Sequence, residues 1–408
     1  MKYVLLVPDG ACDYPVDELG GKTPLEIAKI PNMHFIAKNG EVGITNTIPK
    51  GFAPASDVAN LSILGYDPAK YYSGRGPLEA ANMGIEIAEG DVAFRCNFVT
   101  IDNDIMIDYS AGHITSKEAA LLIDVVNESL GSEHIKFYHG VGYRHLMVSK
   151  DKSLTKALLK TKCIPPHDIT GFGVSKNLPK GPGAKFLIDL MEKSKATLHG
   201  AEVNRVRIDL KENPANSIWL WGQGTIPNMP KFKDKFGING SIISAVDLIK
   251  GIGRIIGLEP LDVPGATGYY DTNFKGKGEY AIKSLEKNDF VFVHIEATDE
   301  AGHNGDTRAK IAALENFDKF IVGPVIEYLK NKKEPFKVLM LADHYTPVKV
   351  KTHTRDPVFF AMYGDGIKSN GIGAFTEAEA AKSSIARPNA YDLMALLVGS
   401  RHCEPRTK

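Results

Sequence analysis

Two apolar runs that stop abruptly at carboxylates and imidazoles constrain this chain more than any other feature. They are Val291-Phe-Val-His-Ile-Glu-Ala-Thr-Asp299-Glu-Ala-Gly-His303 and Val338-Leu-Met-Leu-Ala-Asp343-His344. A short run of β-branched and apolar residues is the pattern of a strand buried on both faces, as in a parallel sheet. The residues that follow such a strand sit at the carboxyl edge of the sheet, where open α/β folds bind ligands. The sequence therefore predicts an α/β fold, a mostly parallel sheet flanked by helices, with a site at the ends of these strands.

Asp299 and His303 are four residues apart, so one helical turn places both on one side. Asp343 and His344 add an oxygen and a nitrogen, and Lys351-Thr-His353 adds a further imidazole. Mixed Asp/His ligation suits divalent Mn, Zn, Co or Mg. An isolated Asp-His pair is more often a turn or a helix cap than a ligand. Two such clusters, each placed behind a strand-like run, point to metal. They leave one carboxylate to find if two tetrahedral ions are to be held. Tyr3-Val-Leu-Leu-Val7 reads as a first buried strand, and Pro8-Asp9-Gly10 ends it in a turn with Asp9 at the tip.

A chain of 408 residues accommodates one large domain or two ordinary ones. Forty-nine basic residues balance forty-nine acidic ones, so no field advertises nucleic acid or an anionic membrane surface, and phosphate has to be met by local basic groups. Cys12, Cys96, Cys163 and Cys403 lack C-x-x-C spacing and read as reduced thiols. The apolar stretch before Asp9 is too short for a signal-peptide core, and no run approaches membrane length. These features together predict a cytoplasmic protein with a small-molecule substrate, and leave open whether it forms a homo-oligomer.

Along the chain, Thr23-Pro24 reads as an N-cap followed by a proline at the first helical position, and residues 40–48 as a strand. In Pro54-Ala-Ser56-Asp57-Val-Ala-Asn60-Leu-Ser62, the helical spacing of Val58, Leu61 and Leu64 predicts a helix beginning near Ser56. Such a serine is either an N-cap or a nucleophile supported by the helix N-terminus and activated by a nearby metal. Arg75, in Ser73-Gly-Arg75-Gly76-Pro77, is a candidate phosphate or carboxylate fork.

The character changes over residues 81–210. Antiparallel strands are predicted at residues 94–100 and 105–109 and a hairpin at residues 135–149, with a helix after a serine cap at Ser116 and another near residues 184–194. A further strand is predicted through Val203, Val206 and Ile208. This grouping predicts an inserted α+β module. Its turn residues His113, Arg144, His145 and Pro165-Pro-His167-Asp168 are candidate substrate contacts. The parallel pattern is expected to resume at Ser217-Ile-Trp-Leu-Trp221, an amphipathic helix to fill residues 240–257, and a glycine-rich loop over residues 265–278, carrying Lys275 and Lys277, to cradle an anion. No G-x-G-x-x-G follows the first strand, which disfavours a dinucleotide enzyme.

Pro8-Asp9-Gly10, Ser56-Asp-Val-Ala-Asn60, Asp299-Glu-Ala-Gly-His303, Ala342-Asp343-His344 and His353 together resemble, in order and spacing, the archaeal-type cofactor-independent phosphoglycerate mutases of the alkaline phosphatase superfamily. The resemblance extends to Phe94-Arg-Cys-Asn97, Asn213-Pro-Ala-Asn-Ser-Ile-Trp219 and Ser244-Ala-Val-Asp-Leu-Ile-Lys-Gly251. It implies an alkaline-phosphatase-like core from residues 1–80 and 211–408, with a substrate-binding cap inserted at residues 81–210. It also implies two divalent ions, one on Asp299, His303 and His353, the other on Asp9, Asp343 and His344 beside the nucleophile Ser56. The implied reaction interconverts 3-phosphoglycerate and 2-phosphoglycerate through phosphoserine, without 2,3-bisphosphoglycerate. The resemblance assigns Arg95, His113, Arg144 and His145 to substrate binding from the cap, and Arg75 to phosphate. A metal-dependent phosphomonoesterase using the same serine and ions is the alternative.

Overall fold

The computed structural model describes residues 1–399, so Cys403 lies outside the described residues. The described chain divides into two compact units, residues 1–72 with those from 229 on, and residues 73–228. In chain order the strands are β1 (Lys2–Pro8), β2 (Glu41–Thr45), β3 (Val92–Asp102), β4 (Ile105–Asp108), β5 (Ile135–Val141), β6 (Arg144–Ser149) and β7 (Ser217–Gly224). They continue as β8 (Gly240–Ile243), β9 (Glu259–Pro260), β10 (Phe290–Ile295), β11 (Phe336–Leu341), β12 (Val358–Gly364) and β13 (Ala386–Arg387).

The first unit is built on an eight-stranded sheet of order β13-β2-β12-β11-β1-β10-β8-β9, and every pairing is parallel except those of β12 with its two neighbours. At its centre Val4 lies opposite both Val291 and Val338, and Leu5 opposite Phe292 and Leu339, all fully buried. Each such side chain taken out of water contributes about 1.5–3 kcal/mol. Because β1, β10 and β11 run in one direction, Asp9, Asp299 and Asp343 all follow their carboxyl ends. Thr23 caps the short helix Pro24–Ile27 in a reciprocal capping box with Glu26. No helix among the described residues is long and apolar enough to cross a membrane.

The second unit is an antiparallel five-stranded sheet in which β3 pairs with β4, β6 and β7, while β5 pairs with β6. Leu122, Ile123 and Val126 of the helix Ser116–Leu130 and Leu187, Leu190 and Met191 of Ala184–His199 belong to one buried cluster with Phe94, Phe98 and Trp219. The hairpins over residues 92–108 and 135–149 lie where the sequence pattern puts them.

Several local readings are corrected. Residues 202–209 form a helix (Glu202–Asp209), not a strand. Val206 and Ile208 face outward at 51% and 56% exposure, whereas Arg207 is buried on Glu118 (2.9 Å), Glu212 (3.0 Å) and the Ala111 carbonyl (2.8 Å). A buried arginine supplies the inward face that apolar residues were expected to mark. β7 does not resume the parallel sheet but runs antiparallel to β3, its one pairing partner among the described residues, since an antiparallel strand buried on both faces reads like a parallel one. The expected 240–257 helix is strand β8 followed by the helix Asp247–Ile256. Lys277 belongs to no anion loop. It is fully buried in the helix Phe274–Lys287, donating to the His294 carbonyl at 3.3 Å. The caps shift by one residue, Thr115 preceding Ser116 and Ala55 preceding Ser56. The units also break at 72/73 and 228/229 rather than at 80/81 and 210/211, because the helix Arg75–Asn82 and β7 both pack on β3.

One buried ion pair fastens two loops of the first unit. Lys310 Nζ, wholly inaccessible, donates to Asp13 Oδ2 at 2.7 Å and to the Thr346 carbonyl at 2.9 Å, while Asp13 also accepts from Val348 N at 3.1 Å. Lys310→Met leaves the Asp13 carboxylate buried without its cation. The expected loss is about 3–5 kcal/mol of stability, measured by denaturant unfolding of the metal-free protein.

Candidate metal centre and arginine cluster

Asp9 occupies the turn directly after β1. Its backbone N donates to Ile295 O at 3.0 Å, Thr298 Oγ1 donates to its carbonyl, and Gly10 N donates to Asp343 Oδ1 at 3.0 Å. Gly10 has φ +58°, and a Cβ there would lie 2.6 Å from Asp299 Oδ1, so this turn admits only glycine. Asp299 lies in the first turn of the helix Ala297–Asn304 and His303 in its last. Ser56 opens the helix Ser56–Ile63. Asn60, one turn on, donates to both the Ser56 carbonyl and Asp343 Oδ2, each at 2.9 Å.

His344 Nε2 lies 3.1 Å from Ser56 Oγ, 3.4 Å from Asp9 Oδ1 and 3.4 Å from Asp343 Oδ2. Its Nδ1 lies 3.1 Å from Thr346 Oγ1, whose hydroxyl donates to Asp299 Oδ1. The threonine oxygen must therefore accept from Nδ1–H, which leaves the Nε2 lone pair directed at the Ser56 group. Nearby, His303 Nε2 is 3.2 Å from Asp299 Oδ2 and 2.9 Å from His353 Nε2, and His353 Nε2 is 3.4 Å from Asp299 Oδ1. The structure thus brings Asp9, Ser56, Asp299, His303, Asp343, His344 and His353 into one centre within the first unit.

Whether these residues fit divalent cations can be tested on their chemistry. Ligands about 2.1 Å from a tetrahedral ion lie roughly 3.4 Å from one another, which matches the separations around His344 Nε2. Asp9 Oδ1 is buried with no hydrogen-bond partner, and two imidazole nitrogens confront each other at 2.9 Å. Asp299, His344 and His353, and Asp9, His294 and Asp343, form two groups whose donor atoms lie within 4.8 Å of one another. The residues fit metal.

Electrostatics agrees. Burial, followed by the charges of Asp343, Glu296 and Asp299, holds the Asp9 carboxyl well above its usual range. Burial, then Asp299, pushes Glu296 up to about 8. Burial lowers His344 to about 4 and His294 to about 4, so both are neutral at pH 7. Burial also opposes the charge on His303, but its hydrogen bond to Asp299 prevails and raises it to about 9.

His294, Glu296, Thr298, Thr346 and Asn60 are participants that pattern reading did not nominate. His294 sits within β10, where a strand's buried interior masks a histidine. Its signal was the imidazole in an otherwise apolar run.

The predicted basic residues of the second unit fall into different settings. Arg75 and Arg95 converge on Glu79, Arg75 Nε at 3.0 Å and Arg95 Nη1 through a short bond. Both guanidinium groups lie against the Trp221 ring, 5.5 and 5.0 Å from its centroid. Arg95 is 3% exposed and its Nε has no partner. Although burial works against the Glu79 charge, the two arginines hold its carboxyl below the usual range. His167 stands 5.4 Å from the Trp221 ring, edge to face. Arg144 is exposed over Tyr143, 5.8 Å from its ring. His113 is an exposed turn residue at φ +50° whose backbone N donates to Ser110 Oγ at 3.1 Å. His145 is buried edge-on to Phe98, accepts from Gly140 N at 3.1 Å, and is lowered to about 3 chiefly by burial. The structure joins Arg75 with Arg95 and sets Arg144 and His145 on β6 opposite Asn97 and Cys96 of the strand that carries Arg95, close enough for the Arg144 and Arg95 charges to act on one another. Glu79 and Trp221 were missed, because neither a helix glutamate nor a strand tryptophan is distinctive by itself.

Residues 37–204 match the family model described as 2,3-bisphosphoglycerate-independent phosphoglycerate mutase. A protein of that name from Methanosarcina barkeri is 50% identical over 402 residues, covering 98% of this chain and all of the relative. The solved structure of a protein from Pyrococcus horikoshii is similar at TM-score 0.83 and 29% identity, covering 98% of this chain and 96% of that one. That of a cofactor-independent phosphoglycerate mutase from Thermoplasma acidophilum is similar at TM-score 0.66 and 28% identity, covering 98% and 99%.

The titrations carry a sign. His303, raised to about 9, stabilises the metal-free fold while protonated, fully so below its unfolded value of about 6.5, and this is lost as pH rises through 9. Glu296, raised to about 8, favours the fold while neutral and acts in the same direction. The melting temperature of chelator-treated protein is therefore expected to fall between pH 7 and 9, and saturating divalent cation to remove most of the fall, as checked by scanning calorimetry.

Proposed function

Because the chain belongs to the 2,3-bisphosphoglycerate-independent phosphoglycerate mutases, we propose that it interconverts 3-phosphoglycerate and 2-phosphoglycerate by way of phosphorylated Ser56, at a centre for two divalent cations. The observation that carries this reading is the convergence of Ser56 Oγ, His344 Nε2 and the orphaned Asp9 Oδ1 beside Asp343. Asp299, His303 and His353 would hold one ion, and Asp9, Asp343 and His344 the other, with Ser56 beside it. When bound, the ions supply positive charge that depresses the serine pKa and neutralises the phosphoryl oxygens.

The chain's own groups do the rest. Ser56 Oγ, its proton released, attacks phosphorus as the P–O bond to the glycerate oxygen breaks, and that oxygen takes up a proton. Glycerate is retained and turned, its other hydroxyl attacks the phosphoserine, and the serine oxygen leaves and is reprotonated. Asn60, bonded to both the Ser56 carbonyl and Asp343, fixes the nucleophile against a ligand. Turning glycerate without losing it needs a grip on its carboxylate; within residues 73–228, proposed as the substrate-binding unit, the Arg75–Arg95 pair on Glu79 has the chemistry to bind a carboxylate. A metal-dependent phosphomonoesterase would use the same serine but needs no such grip.

Phosphorus NMR of 3-phosphoglycerate with Mn-loaded protein and no bisphosphoglycerate is expected to show 2-phosphoglycerate. Inorganic phosphate alone would make the protein a hydrolase. Ser56→Ala should lower turnover by about 10³-fold or more while metal content stays near that of wild type, checked by elemental analysis of the same samples. Substantial turnover by Ser56→Ala would remove the covalent route.

A further inference from the structure

We propose that His294 is a positioning residue for Asp9, held in one tautomer by Ser244, so that Asp9 offers a single oxygen to the cation. The inference rests on reading Asp9 as a ligand. Ser244 Oγ accepts from Val246 N at 3.0 Å, which leaves its own hydroxyl proton for His294 Nδ1 at 3.1 Å. An ionised Asp9 can only accept, so Nδ1 is the acceptor of the Ser244 hydroxyl and Nε2 carries the hydrogen. That hydrogen is donated to Asp9 Oδ2 at 2.9 Å, against 3.9 Å to Glu296 Oε2. Asp9 Oδ1, buried and without a hydrogen-bond partner, remains directed toward His344 Nε2 at 3.4 Å.

His294 itself is immobile. It is fully buried, its ring lies parallel to Phe292 at 6.1 Å, and its carbonyl accepts from the buried Lys277 ammonium at 3.3 Å. With its Nε2 hydrogen donated to Asp9 Oδ2 and its Nδ1 taken by Ser244, His294 has no lone pair to offer an ion. Histidines and carboxylates bonded to a ligand in this way set its orientation, and their loss typically weakens metal binding about 10–100-fold.

The test is Mn2+ binding by titration calorimetry on the full chain, with wild type, His294→Ala, Ser244→Ala and the double variant, alongside the visible spectrum of each protein saturated with Co2+. Each single variant is expected to weaken one of two ions, by about 10–100-fold for His294→Ala and less for Ser244→Ala, with the other ion unaffected. Since the serine acts only through the imidazole, the double variant should bind no more weakly than His294→Ala, a coupling that a general loss of packing would not give. The saturated Co2+ spectrum should keep its band shape. Unchanged affinity in both single variants, additive losses, or a changed band shape at saturation, which would make His294 itself a ligand, would each overturn the proposal. Wild-type protein that binds no ion would overturn the reading of Asp9 beneath it as well.

Discussion

Three carboxylates, those of Asp9, Asp299 and Asp343, are held almost out of water around the His344 ring, and much of the first unit follows from that. Buried like charges are strongly unfavourable unless opposite charge or hydrogen bonding answers them. Here the answer is partial. Asp343 receives Gly10 N, His344 N and Asn60, and Asp299 receives Thr346, but Asp9 keeps one oxygen with nothing on it. A fold would not retain such a cluster for its own stability. It makes sense as a cavity whose missing counter-charge is a cation.

The backbone enforces this arrangement. Parallel register puts Pro8 beside Ile295, so the chain leaves β1 and β10 at the same level, and Gly10 then brings its N–H onto Asp343 at the end of β11. The close approach is possible only because position 10 has no Cβ. Lys310 works one layer further out, tying the loop after β1 to the loop that carries Thr346, and Thr346 in turn sets the tautomer of His344. Charge compensation and backbone placement are therefore one network in which a distant lysine helps fix a ligand's lone pair.

What was legible in the sequence follows from the same physics. Apolar runs that stop at Asp or His are visible because burial and ligation demand different residue types on either side of a strand end, and Asp9, Asp299, His303, Asp343 and His344 were nominated that way, with His353 added from Lys351-Thr-His353. His294 and Lys277 were not, because a polar residue buried in the middle of an element has no periodic signature and its partners are remote in sequence. The helix Glu202–Asp209 was misread for a related reason. Its buried residues are Asn204 and Arg207, while Val206 and Ile208 look outward, inverting the pattern on which the reading depends. β7 shows the limit of strand direction: pairing partners decide it, and a strand buried on both faces does not disclose them.

The second unit shows the opposite electrostatic design from the first. Two guanidinium groups share one carboxylate and one indole face. The fork of Arg95 is held in place, 3% exposed and fixed between Glu79 and Trp221. A preorganised cation of this kind loses little entropy when an anion arrives, and the planar guanidinium matches a carboxylate's two oxygens. A lone surface arginine would offer the same charge with neither advantage. The substrate proposed for the chain carries a phosphoryl group and a carboxylate, which ask for different chemistry: cations for the phosphoryl oxygens, and a guanidinium fork for the carboxylate. Hydrolysis would require only the first.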